Sequence, residues 1–273
     1  MVKIYFLCFF FCSQVLGQAF LAGERLEYRI FWKGMHVGNS TLEVGKELID
    51  QNGTPCLILK STAKSNPMFE FFFKVDDKMI SFYDPKKKRT IASLKKIHEG
   101  RFHREYHAEF DYTQNVANWW QKQHKGSREE KPEDETFRAK SGTTKPIPEN
   151  LLDVLSAIYY FRENPHPVEF GNFFSIPIYD DLQVTTLDMK IGFLEELELE
   201  VNDEIKKYSA YSVIPYLATS GIFQSDGNII IWISNDTRRI PLKIESNVKK
   251  LGKVVVELYQ VSGVLELSPS LNE

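Results

Sequence analysis

The chain has 273 residues, 42% hydrophobic and 26% charged, an ordinary globular balance with length for one large all-β domain or two smaller ones. The formal charge is −3 with no obviously basic face, which argues against nucleic acid as a partner. Aromatics reach 13%, with 20 Phe and 12 Tyr, and favour strands and large apolar contacts.

Lys3 precedes an apolar run, Ile4 to Leu16, too short to span a bilayer. Gly17 and Ala19 are small residues suited to cleavage. Residues 1–17 therefore read as an export leader, cut after Gly17 or, as second choice, after Ala19. Phe9-Phe10-Phe11 ahead of Cys12 does not fit a lipoprotein signal. No later run reaches about 18 apolar residues, so no transmembrane segment is expected in the mature chain. Cys8 and Cys12 leave with the leader. Cys56 then stays unpaired and reads as a buried structural thiol.

Glu24 to Lys33 alternates: Leu26, Tyr28, Ile30 and Trp32 face one way, Arg25, Glu27 and Arg29 the other. That is a strand of an antiparallel sheet with one wet face. A turn at 34–38 leads to strands over 39–48 and 56–63, with Asn52-Gly53 between them. Asn66 to Glu70 breaks the meander. Strands over 71–83, 89–99 and 102–112 follow. Residues 121–145 are polar and charged, a long excursion with weak strands at 116–121 and 135–139.

Asn150 to Arg162 reads as the one convincing helix, capped by Asn150, with Leu151, Leu155, Ile158 and Phe161 as its apolar stripe. Strands resume at 173–179, 182–191, 194–201, 205–216 and 253–261. Between the last two, Asn228 to Glu245 reads as a hairpin. Ile229 to Ile233 is an unbroken apolar strand, Asn235-Asp236 the turn, and Ile240, Leu242 and Ile244 one face of the return strand. Pro241 has no N–H, so an edge or a bulge is expected there.

So many strands must curl or split. The expected fold is mainly β: a large curved antiparallel sheet or partly open barrel, with the helix on its concave side. A two-sheet sandwich is the alternative. One domain, 20–262, and a C-terminal tail, 263–273, account for the mature chain.

Ile231 to Leu242, Ile-Trp-Ile-Ser-Asn-Asp-Thr-Arg-Arg-Ile-Pro-Leu, resembles the signature of an uncharacterised bacterial family, DUF3108. Gly23-Glu24-Arg25-Leu26-Glu27-Tyr28 resembles its opening strand, with Gly34 and Gly38 at the next turn. Glu99-Gly100, the helix from Asp153 to Arg162, and Gly252 are similar to further family positions. The match covers roughly Phe20 to Val261, and 121–140 departs from it most. The resemblance implies an exported envelope protein, periplasmic or outer-membrane-associated, with no established activity.

His103, Glu105, His107, Glu109 and Asp111 look like a metal cluster, but they alternate along a strand. The two His would stand roughly 13 Å apart, too far for one ion, so no metal is expected. No nucleophile elbow or phosphate-cradling loop appears, and no cofactor is expected. The most pointed polar group is Asp153, Ser156, Tyr159 and Arg162 on the helix, with Trp232, Asp236 and Arg238 on the hairpin as candidate binding partners. The reading favoured for them is a structural bridge, Asp153 or Arg162 pairing with Asp236, Arg238 or Arg239 of the hairpin, because charges near a buried helix need partners. Three functions stay open: a carrier of an apolar or lipid-like ligand, a structural or assembly factor touching another envelope protein, and an envelope hydrolase. Phe31, Trp32, Phe71, Phe72, Phe73, Trp119 and Trp120 are the expected lining of a ligand-holding concavity.

Overall fold

A computed structural model of the chain describes residues 19–125, 138–164, 166–217, 229–248 and 252–263. The expected leader, 1–17, lies outside these, as do residues 264–273 of the expected tail and 135–137 of the expected strand 135–139. The elements in order are β1 (Arg25–Trp32), β2 (Met35–Gln51), β3 (Thr54–Ser65), β4 (Asp76–Asp84), β5 (Arg89–Glu99), β6 (Phe102–Asp111), β7 (Val116–Lys125) and β8 (Arg138–Thr144). Then come β9 (Leu152–Asp153), α1 (Val154–Arg162), β10 (Phe173–Asp180), β11 (Gln183–Val201), β12 (Glu204–Leu217), β13 (Ile230–Ser234), β14 (Pro241–Val248) and β15 (Gly252–Ser262).

All fifteen strands form one sheet, in the order β8 through β1, then β15 back to β9. The first and last strands pair at its middle, Leu26 against Val261 and Trp32 against Val254. The free edges are therefore mid-sequence, β8 and β9. Every pairing is antiparallel except the two-residue β9–β10 match. Among the described residues there is no second sheet, so the sandwich alternative does not hold.

The sheet curls without closing. Its two arms meet face to face through side chains rather than a ladder. Arg104 of β6 bonds Asp181 at 2.6 Å, Thr144 of β8 bonds the Leu182 carbonyl at 2.7 Å, and Phe110 meets Tyr179 edge-on at 5.2 Å. The β11–β12 tip also folds back: the Asn202 N–H donates to the Tyr259 carbonyl at 2.9 Å.

Inside the curl lies α1, against β3, β4, β9 and β10. Seven of its nine residues are buried, Val154, Leu155, Ser156, Ala157, Tyr159, Phe161 and Arg162. A helix buried nearly all round belongs in a core rather than on a surface. Ile158, expected in the apolar stripe, is only half-buried. Leu26, Leu59, Tyr83, Ile178, Ile191, Leu242 and Leu258 from both arms of the sheet complete the same cluster.

Several boundaries move. The helix starts four residues later than Asn150, because Asp153 takes the cap and Leu152-Asp153 joins the sheet. Residues 71–73 are not strand but part of a compact turn. Strands 182–191 and 194–201 are one strand, β11, bent by a bulge between Ile191 and Leu194. Pro241 sits at the expected irregularity, opposite Ile233 where the register shifts.

Candidate functional site

The two ends of α1 carry the buried polar groups. At its start, Asp153 caps the helix. Its Oδ1 accepts from the Ser156 N–H and Oγ, each at 2.7 Å, and its own N–H reaches Ser156 Oγ at 3.0 Å. This reciprocal cap satisfies helix-end donors that burial would otherwise leave unpaired. Two strands complete it: Ser81 of β4 donates to Asp153 Oδ2, and Thr90 of β5 lies 2.6 Å from Ser156 Oγ.

A bulge makes that inward row. Register slips between Phe82 and Tyr83, pairing Ser81 with Ser93 and Tyr83 with Thr90. Thr90 and Ser93, an odd number of residues apart, can thereby both face the helix, which a regular strand forbids. Lys95 follows on the inner face, 3.6 Å from Asp180 of β10, both side chains buried. Burial pushes the Asp153 carboxyl up against the pull of Ser81 and Ser156. Burial likewise pushes the Lys95 ammonium down, with Asp180 opposing. Each shift is the desolvation of a charged form. Between these groups is a cleft of about 10 Å³ lined by Ser93, Lys95, Tyr106 and Asp153, room for roughly one water.

At the other end, Arg162 spends its donors on four acceptors. Nη1 and Nη2 grip the Glu24 carboxylate at 2.6 and 2.8 Å, Nη2 also meets the Ala19 carbonyl at 2.8 Å, and Nε meets the Arg238 carbonyl at 2.9 Å. Burial alone would lower this guanidinium, but the bidentate Glu24 contact outweighs it and holds it raised. Tyr159 packs edge-on against Phe20 at 4.9 Å. Arg239 reaches back from the hairpin to the Phe161 carbonyl at 3.2 Å and the His166 carbonyl at 2.6 Å.

The expected group therefore divides. Asp153 and Ser156 belong to the first cluster, Tyr159 and Arg162 to the second, and the backbone of Arg238 joins the second. Asp236 instead closes its own turn: Oδ1 accepts from the Arg238 and Arg239 N–H groups at 3.0 and 3.1 Å. Positive φ falls on Arg239, not on Asn235 or Asp236. Trp232 is buried under the Lys243 ammonium, 5.3 Å from its ring. The first cluster joins the helix to β4 and β5, and the second joins it to the chain entering β1 and, through the Arg238 carbonyl and the Arg239 side chain, to the hairpin.

Of the expected concavity lining, Trp119 packs against the cluster of Tyr106, Phe110 and Tyr179, and Phe31 and Trp32 are half-buried. Phe71, Phe72 and Phe73 are exposed on a turn and Trp120 on β7. The His103 and His98 rings lie 3.9 Å apart, tilted by 39°, while His107 pairs with Glu109 at 3.5 Å on the outer face. Among the described residues no group of three His, Cys, Asp or Glu could hold a metal ion. Cys56 is buried, its thiol pushed up to about 11 by burial.

Glu24, Ser81, Thr90, Lys95 and Asp180 were not legible as site residues. Only the family-like Gly23-Glu24-Arg25 run marked one of them, and Lys95 follows a leucine that a hydropathy pattern would place inside.

A family model described as a protein of unknown function, DUF3108, matches residues 27–259. No curated protein matches the chain. Among solved structures, the chain is similar to a β-barrel-like protein of a domain of unknown function, DUF1849, from Brucella abortus. The identity is 8% and the TM-score 0.51, over 90% of this chain and 99% of that one. At that identity the likeness is one of fold alone.

Proposed function

We propose, from the premise that the chain belongs to the DUF3108 family, that it is an exported envelope protein acting through its outer surface, as a structural or assembly factor. One observation carries this reading: among the described residues, the helix packs into the inside of the curl. Among the described residues the inner faces converge on α1 and on Ala19-Phe20, which Glu24 and Arg162 tie down. A carrier of apolar ligands needs roughly 300 Å³ or more of concave space. The cleft beside Lys95 offers about 10 Å³. A hydrolase would need Asp153 and Lys95 free for chemistry, whereas Ser81, Ser156 and Asp180 engage them. What the protein offers instead is surface, including exposed Phe71, Phe72, Phe170, Phe173 and Phe193.

Titration of the delipidated chain with a fluorescent fatty-acyl probe tests this. No saturable one-to-one binding is expected. Stoichiometric binding that persists after Phe71→Ser and Phe72→Ser would place a ligand inside the curl and overturn the reading in favour of a carrier.

A further inference from the structure

Three turns lie side by side at one end of the sheet: Lys33-Gly34 between β1 and β2, residues 66–75 between β3 and β4, and Gly100-Arg101 between β5 and β6. The middle turn carries the three most exposed large apolar side chains among the described residues, Phe71 at 87% and Met68 and Phe72 at 80%.

They are held outward by a built scaffold. The Asn66 N–H donates to the Val37 carbonyl at 2.8 Å, and its side-chain amide to the His36 carbonyl at 3.0 Å. The N–H groups of Phe69 and Glu70 return to the Asn66 carbonyl at 2.9 and 3.2 Å, and those of Phe72 and Phe73 to the Phe69 carbonyl at 3.0 and 3.1 Å. Phe73 lies on Gly100, where φ is +59° and an added Cβ would stand 3.0 Å from its ring. Gly100 in turn donates to the Lys74 carbonyl at 2.7 Å. These bonds hold the backbone of the turn while its aromatic tips stay in water, an arrangement that leaves apolar area for something else to cover.

The neighbouring charges select what covers it. Lys33, Lys64, Lys78 and Arg101 are exposed around the tip, against exposed Asp76 and Glu99, while Lys74 and Glu70 pair at 4.0 Å. Lys33 also sits over the Trp32 ring at 4.7 Å. A projecting aromatic finger ringed by an excess of cations matches a surface that is apolar beneath and anionic above. Aromatic side chains settle at the headgroup–acyl boundary, and Lys and Arg meet anionic headgroups over it. We propose that the 66–74 turn inserts into the interface of an anionic lipid bilayer and anchors the sheet by this end.

Vesicle co-sedimentation of the chain beginning at Gln18 tests it, with phosphatidylcholine alone and with added phosphatidylglycerol. The wild-type chain is expected to sediment with the anionic vesicles. Phe71→Ser with Phe72→Ser lowers the partition by at least about tenfold at unchanged melting temperature. Lys33→Gln with Arg101→Gln abolishes the preference for anionic over neutral vesicles. The proposal is overturned if the wild-type chain stays in solution with both vesicles, or if the double serine variant sediments equally well. It is also overturned if the turn instead drives self-association, seen as a light-scattering mass that the serine variant halves without vesicle binding. None of these outcomes bears on the fatty-acyl titration, so the two readings fail separately.

Discussion

Glu24 and Arg162 stand 138 positions apart in sequence and form a two-bond ion pair that water does not reach, the Glu24 side chain 0% and the Arg162 side chain 1% exposed. The pair joins the entry to β1 with the last turn of α1. Arg162→Met leaves the Glu24 carboxylate buried and alone, at a cost of about 3–5 kcal/mol. Glu24→Leu added to it should recover much of that loss, since an apolar pair of similar volume needs no solvation. Urea unfolding of both variants measures this; a nearly neutral Arg162→Met would show that the pair does not hold the helix in place.

Trp232 gives a second expectation. It is 7% exposed, in the middle of β13. Trp232→Ala should cost about 3–5 kcal/mol, the usual range for emptying an aromatic site that collapses poorly. Its indole N–H is buried without a hydrogen-bond partner, so Trp232→Phe removes an unpaired donor and should be much milder than the alanine change. Equal losses for the two variants in chemical denaturation would contradict this.

What could be read in advance follows from period. Leu26, Tyr28, Glu27 and Arg29 alternate cleanly, and β1 is where the pattern puts it; β5 runs over 89–99 as expected. Curvature was legible from strand number alone. Long-range choices were not. Nothing local announces that β1 pairs with β15, because pairing partners are chosen by the whole sheet. Lys95 points inward and its neighbour Leu94 outward, since Asp180, 85 positions later, supplies the charge that makes burial tolerable. The Phe71-Phe72-Phe73 run resembles a strand by composition, yet Asn66 starts a turn that outweighs β propensity.

Asp77 should set a pH dependence. Its Oδ1 accepts from the His98 N–H at 2.8 Å. Its carboxyl is pushed from the ordinary 3.8 up to about 7, chiefly by burial, with Glu99 adding and the His98 N–H and Lys95 opposing. The folded state therefore holds this proton more tightly than the unfolded one. The stability it contributes is full below about pH 4 and is lost as pH rises through about 7. Asp77→Asn keeps the acceptor and removes the titration. It should leave the melting temperature little changed near pH 4 and raise it near pH 8. An identical pH profile for the variant and the wild-type chain would rule Asp77 out as the source.

The start of the mature chain is the last expectation, and the fold bears on the choice between two cleavage positions. Ala19 and Phe20 are both buried. The Ala19 carbonyl accepts from Arg162 at 2.8 Å, and Phe20 covers Tyr159 and faces the Arg162 guanidinium at 5.6 Å. Removal of the leader after Gly17 keeps all of these contacts. Removal after Ala19 deletes the carbonyl and puts a charged α-amine at Phe20, beside a buried cation. Desolvating that second positive charge is unfavourable. Intact mass of protein from the envelope fraction should therefore correspond to a chain beginning at Gln18, and a recombinant chain beginning at Phe20 should melt at lower temperature than one beginning at Gln18. Recovery of uncleaved protein in the cytosol would reject export. A mature start at Phe20 with undiminished stability would show that the Ala19 carbonyl contributes nothing to holding Arg162.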